Sequence, residues 1–173
     1  ARVPSAGARS MTERSAAARG VGRWDPVCAC GGELTPIATA ETKPLRATSI
    51  YAQSKRHQEE MCLLVGRAYG IPTTALRFFN VYGARQSLSN PYTGVAAIFA
   101  SRLLNGRPPI IFEDGDQRRD FIHVRDIVRA NLFVLDDART DGGVYNVGTG
   151  VAASVNQVAE LLAARLGVDV APS

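Results

Sequence analysis

The sequence predicts an α/β fold. Segments of helical period alternate with short runs rich in β-branched and aromatic residues, the pattern of strands joined by helices. Start and stop residues bracket those helices where the period begins and ends. Length and composition agree: 173 residues, 46% of them apolar, suffice for one domain with a buried core and not comfortably for two.

Residues 1–46 show no sustained period and read as an irregular arm followed by a Cys-containing loop. Residues 1–27 hold Arg2, Arg9, Arg14, Arg19 and Arg23 against Glu13 and Asp25, which is +3 of the net +4. Ala, Gly and Ser surround these charges, so the arm reads as solvated, not as a nucleic-acid contact. It lacks the apolar stretch of a secretory signal, and no run approaches ~18 apolar residues, so a cytoplasmic protein without a membrane span is expected. Cys28 and Cys30 are spaced C-x-C with no second Cys/His pair nearby, short of the four ligands structural zinc takes. With Cys62 they read as free thiols, and no metal is expected.

Organised structure begins near Thr48. A helix is predicted over 50–69, with Ser49 as N-cap, Gly70 as stop and Pro72 just beyond. Met61, Leu64, Val65 and Ala68 recur at helical spacing and form its expected core stripe, while Tyr51, Lys55, Gln58 and Cys62 share another face. Residues 73–79, TTALRFF, read as a strand. Residues 80–93 read as a long polar loop, followed by a helix from Gly94 to Leu104 that stops at Asn105-Gly106. Ile110 to Phe112, the turn from Glu113 to Asp116, and Arg119 to Val124 predict a β-hairpin. Asp126 is expected to cap a helix reaching Asp136, with Ile127, Val128, Asn131, Leu132 and Leu135 at helical spacing. Val144 to Val147 reads as a strand, and Ser154 with Gln157 as the capping box of a last helix ending at Gly167.

One motif carries chemistry. Tyr51 and Lys55 form a Y-x-x-x-K, and positions i and i+4 stack on one helical face. A phenol ordinarily titrates near 10 and is a poor base at neutral pH, but a close ammonium favours the phenolate. Lowering a phenol by three units would take about 4 kcal/mol of differential interaction, which a Lys in a cleft supplies in part. Such a pair can take a proton from a hydroxyl and return it. His57 lies among charged neighbours and reads as solvated, and His123 reads as a hydrogen-bonded structural residue; neither is given a catalytic role.

Taken in order, SIYAQSK, ALRFFNVYGARQ, DGDQRRDFIHVRD and VYNVGTG resemble the extended short-chain dehydrogenase/reductase family, in its branch of nucleotide-sugar epimerases and dehydratases. The resemblance covers roughly Lys43 to Leu166, and the CGGELTP loop is similar to that of bacterial sugar-nucleotide 4-epimerases, dTDP-rhamnose-type enzymes among them. It implies the C-terminal part of a Rossmann-like NAD(P)-binding fold plus part of a small substrate-binding domain. Residues 47–90 would supply the catalytic helix and strand, residues 91–173 mostly the substrate region, and strand 144–147 would return to the main sheet. The resemblance makes Tyr51 the acid/base and gives Lys55 the nicotinamide ribose as well. Phe78 and Phe79 would face the nicotinamide, and Asn80, Gly94, Val95 and Arg119 would meet the nucleotide diphosphate of the substrate. It implies NAD in preference to NADP, a nucleotide-diphosphate sugar as substrate, and a homodimeric parent. The reaction implied is 4-epimerisation through transient oxidation at sugar C4; 4,6-dehydration, or a non-catalytic module that keeps only the sugar-nucleotide half, are the alternatives.

A second glycine motif competes for the cofactor. Gly148-Thr-Gly-Val-Ala-Ala153 satisfies G-x-G-x-x-A after a strand, with Asp169 about where a ribose-binding acid belongs. Ser154 begins the following helix only after the motif, so its N–H groups are displaced from the glycines. The motif is therefore read as a strand end, and the pyrophosphate-binding turn is expected upstream of residue 1. A solvated ion-pair cluster of Arg118 and Arg119 with Asp116 and Asp120 is the competing reading of that hairpin.

Overall fold

The structure is a computed structural model and describes residues 28, 34, 36–87 and 94–168. The readings made on the basic arm, Cys30, residues 88–93 and Asp169 lie outside the described residues.

Helix α1, Ile50–Tyr69, starts where the Ser49 hydroxyl accepts the Ala52 N–H and ends at Gly70 in the left-handed region (φ 65), both as the sequence predicts. Its inward face differs from the expected one. Ala52, Arg56, Glu59 and Leu63 are half-buried and Gly66 fully buried, whereas Met61, Leu64 and Val65 are 63%, 60% and 46% exposed. At ~100° per residue that apolar stripe lies opposite the packed face, with Tyr51 and Lys55 on the flank between them. The packing is set by a close approach: a Cβ on Gly66 would collide with the Thr73 side chain, so only glycine lets the helix settle there. An ion pair, described below, fills the rest of the contact.

The extended run at 73–82 divides between two sheets. Strand β1, Ala75–Phe78, pairs in parallel with β4, Val144–Val147, in a two-stranded sheet. Phe79 still donates its N–H to Val147 O (3.1 Å), and then the chain changes partner. Strand β2, Asn80–Tyr82, pairs in parallel with β3, Arg118–His123, which pairs on its other side antiparallel to β5, Ala152–Ser154. The loop expected over 80–93 thus opens with a strand. The expected hairpin does not form either, because β3 has two strands as partners and Ile110 to Phe112 stays outside the ladder. Ile111 instead packs against the Phe99 cluster.

Helix α2, Val95–Leu104, and helix α4, Val155–Leu166, pack together over β3 and β5. Phe99, Val158 and Ala159 form the buried cluster there, with Val95, Phe121, Ala153 and Leu162 against it. The Ser154–Gln157 capping box forms, and Gly167 ends α4 at φ 64, as predicted. Helix α3, Val124–Asp136, begins before the expected Asp126 cap: His123 is the N-cap, its ring nitrogen accepting the Arg125 N–H (3.2 Å). Asp126 sits in the first turn, paired with Arg129 (3.4 Å). Ile127 alone of its expected apolar face is buried; Val128, Leu132 and Leu135 are exposed.

Candidate functional site

The pair predicted from the sequence comes together on α1. Lys55 Nζ lies 5.8 Å from the centroid of the Tyr51 ring. The Tyr51 side chain is open to solvent (57% exposed), and the Lys55 ammonium donates to Gln58 Oε1 at 3.2 Å. Lys55 also lines a cleft of ≈ 290 Å³ with Arg46, Glu59 and Arg77.

Beneath this pair stands an ion pair that sequence reading passed over. The Arg77 fork on β1 donates to both oxygens of Glu59 on α1, at 2.8 and 2.7 Å, and its other nitrogen donates to Glu41 O at 3.0 Å. The two side chains are 24% and 16% exposed. Hydrogen bonding from Arg77 holds the Glu59 carboxyl below its ordinary value, and Glu59 correspondingly raises Arg77. Glu41 accepts in turn from the Asn146 N–H of β4 at 3.1 Å, which lowers its carboxyl, and Asn146 Nδ2 donates to Thr39 O at 2.8 Å. The segment leading to α1 is thereby tied to both strands of the first sheet.

A second constellation forms where the chain passes between the two sheets. It does so twice, at Phe79 and again at residues 148–151, and the crossings touch. A Cβ on Gly148 would enter the Phe79 ring and the Asp120 carboxylate, so glycine is required by close approach. The Asp120 carboxylate accepts from the Thr149 N–H (2.9 Å), the Thr149 hydroxyl (2.8 Å) and the Gly150 N–H (2.8 Å). Burial alone would raise this carboxyl; the three hydrogen bonds outweigh it and hold it below the ordinary range. These donors are the ones a pyrophosphate would use. The glycine motif at Gly148 is committed to Asp120, in keeping with its reading as a strand end.

Of the expected substrate residues, Asn80 and Arg119 adjoin Asp120, while Gly94 and Val95 open α2. Asn80 Nδ2 donates to Asp120 O at 3.2 Å, which fastens β2 to β3. Gly94 is the N-cap of α2, without a side-chain cap hydrogen bond, and its Cα region faces Gln86 and Val81 O. Val95 opens the helix and packs on the Phe99 cluster. Arg119 is exposed on β3 beside Asp120, with Nη1 donating to Arg118 O at 2.7 Å. The competing ion-pair cluster does not form among the described residues: Asp120 is occupied as above, and Asp116 accepts from Asn156 Nδ2 at 3.2 Å. Phe78 ends β1 and is 45% exposed, and Phe79 lies against Gly148. His123 meets Tyr82 edge-on (centroids 5.3 Å) besides capping α3, which is the structural role expected. His57 is exposed and shares a hydrogen bond with Gln53 at 2.6 Å.

Arg77, Glu59 and Thr149 carry the geometry and were missed in the sequence, and Asp120, expected in an ion-pair cluster with Arg118 and Arg119, is instead bonded to Thr149 and Gly150. One signal was available for Glu59, which lies four residues beyond Lys55 on one helical face. The other contacts join segments 29 or more residues apart or, for Arg77, a helix to a strand.

Comparison with known proteins agrees with this architecture. The model of the NAD dependent epimerase/dehydratase family matches residues 27–148. A dTDP-L-rhamnose 4-epimerase of Burkholderia thailandensis is 36% identical over 138 residues, covering 79% of this chain and 38% of the relative. The crystal structure of a Thermotoga maritima UDP-glucose 4-epimerase with UDP-glucose superposes with a TM-score of 0.74 at 38% identity, over 81% of this chain and 44% of that one. A dTDP-glucose 4,6-dehydratase of Bacillus anthracis in complex with NAD superposes at 0.69 with 28% identity, over 80% and 43%. The chain spans less than half the length of these relatives. The expected fold class holds, an α/β chain matching a substantial part of Rossmann-fold epimerases and dehydratases. The chain belongs to the NAD dependent epimerase/dehydratase family.

Proposed function

We propose that this chain is the catalytic and sugar-nucleotide-binding part of an NAD-dependent nucleotide-sugar 4-epimerase, with Tyr51 as its acid/base. The observation that carries the reading is the Lys55 ammonium 5.8 Å over the Tyr51 ring, on a helix flank turned to solvent and beside a cleft. Lys55 makes no ion pair with a carboxylate among the described residues, so its charge remains available to the phenol.

The residues present fit one end of NAD. The ammonium of Lys55 can donate to ribose hydroxyls, and Phe78, 45% exposed, offers apolar surface in a separate cleft beside Asn131 and Val134, whereas Phe79 is packed against Gly148. The pyrophosphate is not served by the 148–150 loop, whose N–H groups are spent on Asp120. Bound NAD supplies the acceptor and donor of hydride. The chain's own work is proton handling and orientation: Tyr51 takes the proton of the sugar C4 hydroxyl and returns it, while Lys55 stabilises the phenolate between those events. Asn80, the N-terminus of α2 at Gly94 and Val95, and Arg119 hold the nucleotide diphosphate at the sheet crossing, where a guanidinium fork and free helix N–H groups suit phosphate oxygens. Epimerisation is preferred to 4,6-dehydration because the first sugar-nucleotide relatives in both comparisons are 4-epimerases. The protein is proposed to act as a homodimer, with the exposed Met61, Leu64 and Val65 stripe of α1 available for burial against a second copy.

The test is Tyr51→Phe in the full-length protein that contains this chain. It removes one oxygen and little packing. Turnover of a nucleotide sugar should fall about 10²–10⁴-fold while its binding stays near wild type. Near-normal turnover would defeat the assignment.

A further inference from the structure

Lys55 and Glu59 stand at i and i+4 on one helix, where an oppositely charged pair ordinarily forms. Both line the cleft of ≈ 290 Å³. They are nevertheless not paired. Arg77 takes both Glu59 oxygens, at 2.7 and 2.8 Å, and Lys55 is left with a neutral amide, Gln58 Oε1 at 3.2 Å, and the Tyr51 ring. An Arg fork on a carboxylate outcompetes a single ammonium, because it makes two parallel charge-assisted bonds. The competition is further tilted by orientation, since Lys placed before Glu is the weaker order on a helix.

We propose that Arg77 is a positioning residue that keeps Lys55 available to Tyr51 by occupying Glu59. Without Arg77, a half-buried carboxylate one turn from Lys55 would have no partner and would draw the ammonium toward itself, away from the phenol. The other charged groups of the cleft are Arg46 and Arg56, and Arg56 is engaged with Glu60 at 2.8 Å. The inference rests on the reading of Tyr51 and Lys55 as the acid/base pair, and it adds that the pair depends on an ion pair that does not touch the substrate.

The chain lends itself to a direct measurement because it has only two lysines, Lys43 and Lys55, and Lys43 is exposed. An ammonium held by a carboxylate gives up its proton less readily and acylates more slowly. Acetylation by an N-hydroxysuccinimide ester near neutral pH, read by mass spectrometry as the Lys55-to-Lys43 rate ratio, reports how Lys55 is held. Arg77→Gln should lower that ratio about twofold, the size of one helical ion pair. Glu59→Gln should not lower it, and the double variant Arg77→Gln/Glu59→Gln should restore it. An unchanged ratio in Arg77→Gln, or an equal fall in the double variant, would overturn the proposal. Circular dichroism shows whether each variant is folded; if Arg77→Gln is not, Arg77→Lys serves, since one ammonium cannot hold both Glu59 oxygens and a smaller fall is expected. Its absence also counts against the proposal. In the full-length protein with UDP-glucose as probe, kcat should fall in Arg77→Gln at unchanged KM and recover in the double variant. Tyr51→Phe in the same assay separates the two ideas. If it turns over normally, the acid/base reading fails; if it loses turnover while the Lys55 ratio ignores Arg77, only the role of Arg77 fails.

Discussion

Arg119 and Asp120 are sequence neighbours with opposite fates, and the difference is a matter of which groups each can reach. Asp120 alternates inward on β3 and meets three donors from the 149–150 turn, which neutralise the cost of its partial burial. Arg119 points to the other face and finds no carboxylate among the described residues, only the Arg118 carbonyl. A solvated guanidinium next to a rigidly clamped strand is an anchor waiting for an anion, which supports its proposed hold on the substrate diphosphate. In the longer protein proposed above, Arg119→Ala should weaken UDP binding by about 1.5–3 kcal/mol in calorimetry, the range for hydrogen bonds to a charged group. Unchanged affinity together with a lower melting temperature would show that Arg119 serves the fold instead.

At the level of elements, the caps and the packed faces follow different rules. Ser154 is 5% exposed and accepts the Gln157 N–H at 3.1 Å, while Gln157 Oε1 accepts the Ser154 N–H at 2.9 Å. The same residue ends β5, so the strand that borders β3 passes directly into α4 at Ser154. Ser154→Ala should therefore cost about 1 kcal/mol, within the 0.5–2 range for N-caps, measured as a shift in the denaturation midpoint at constant slope. A loss of less than a few tenths would mean that α4 is held by the Phe99 cluster alone. Helix α1 shows the opposite case. Its most apolar face is its least buried one, because Gly66 and the Arg77–Glu59 pair select the side that meets β1.

For the whole molecule, the carboxyls held below the ordinary range among the described residues include two that join distant segments and one that is bonded locally. Glu59 links α1 to β1 and Asp120 links β3 to the 149–150 turn; both are held below the ordinary carboxylate range. Asp137, hydrogen-bonded by Arg139, lies at about 2. A carboxyl lowered on folding adds stability that is fully present above its unfolded value, near 4, and is lost as pH falls through its folded value. Stability should thus be flat from neutral pH down to about 5 and fall steeply between about 4 and 2. Denaturation midpoints collected across that window test this, and Glu59→Gln should make the decline shallower. An acid limb of equal steepness in Glu59→Gln would show that the Arg77 pair contributes nothing to it.

What could be read from the sequence was what is decided within a few residues of chain. Ser49 and Gly70 bound α1, Ser154, Gln157 and Gly167 bound α4, and Tyr51 and Lys55 meet because a helix turn brings i and i+4 together. The tertiary structure alone decided partners. Residues 110–112 and β3 carry the pattern of a hairpin, yet β3 had β2 and β5 to choose instead, and a strand's alternation does not name its neighbour. Apolar periodicity marked the stripe of Met61, Leu64 and Val65, but which helix face turns inward depended on a glycine 7 residues from Thr73 in the chain and on an arginine 18 residues from Glu59. The Gly148 motif has the letters of a phosphate loop, and only the fold shows that its N–H groups are already given to Asp120, 29 and 30 residues away. Hydrogen bonds and ion pairs between remote segments leave little trace in local pattern, because either partner alone looks like an ordinary polar surface residue.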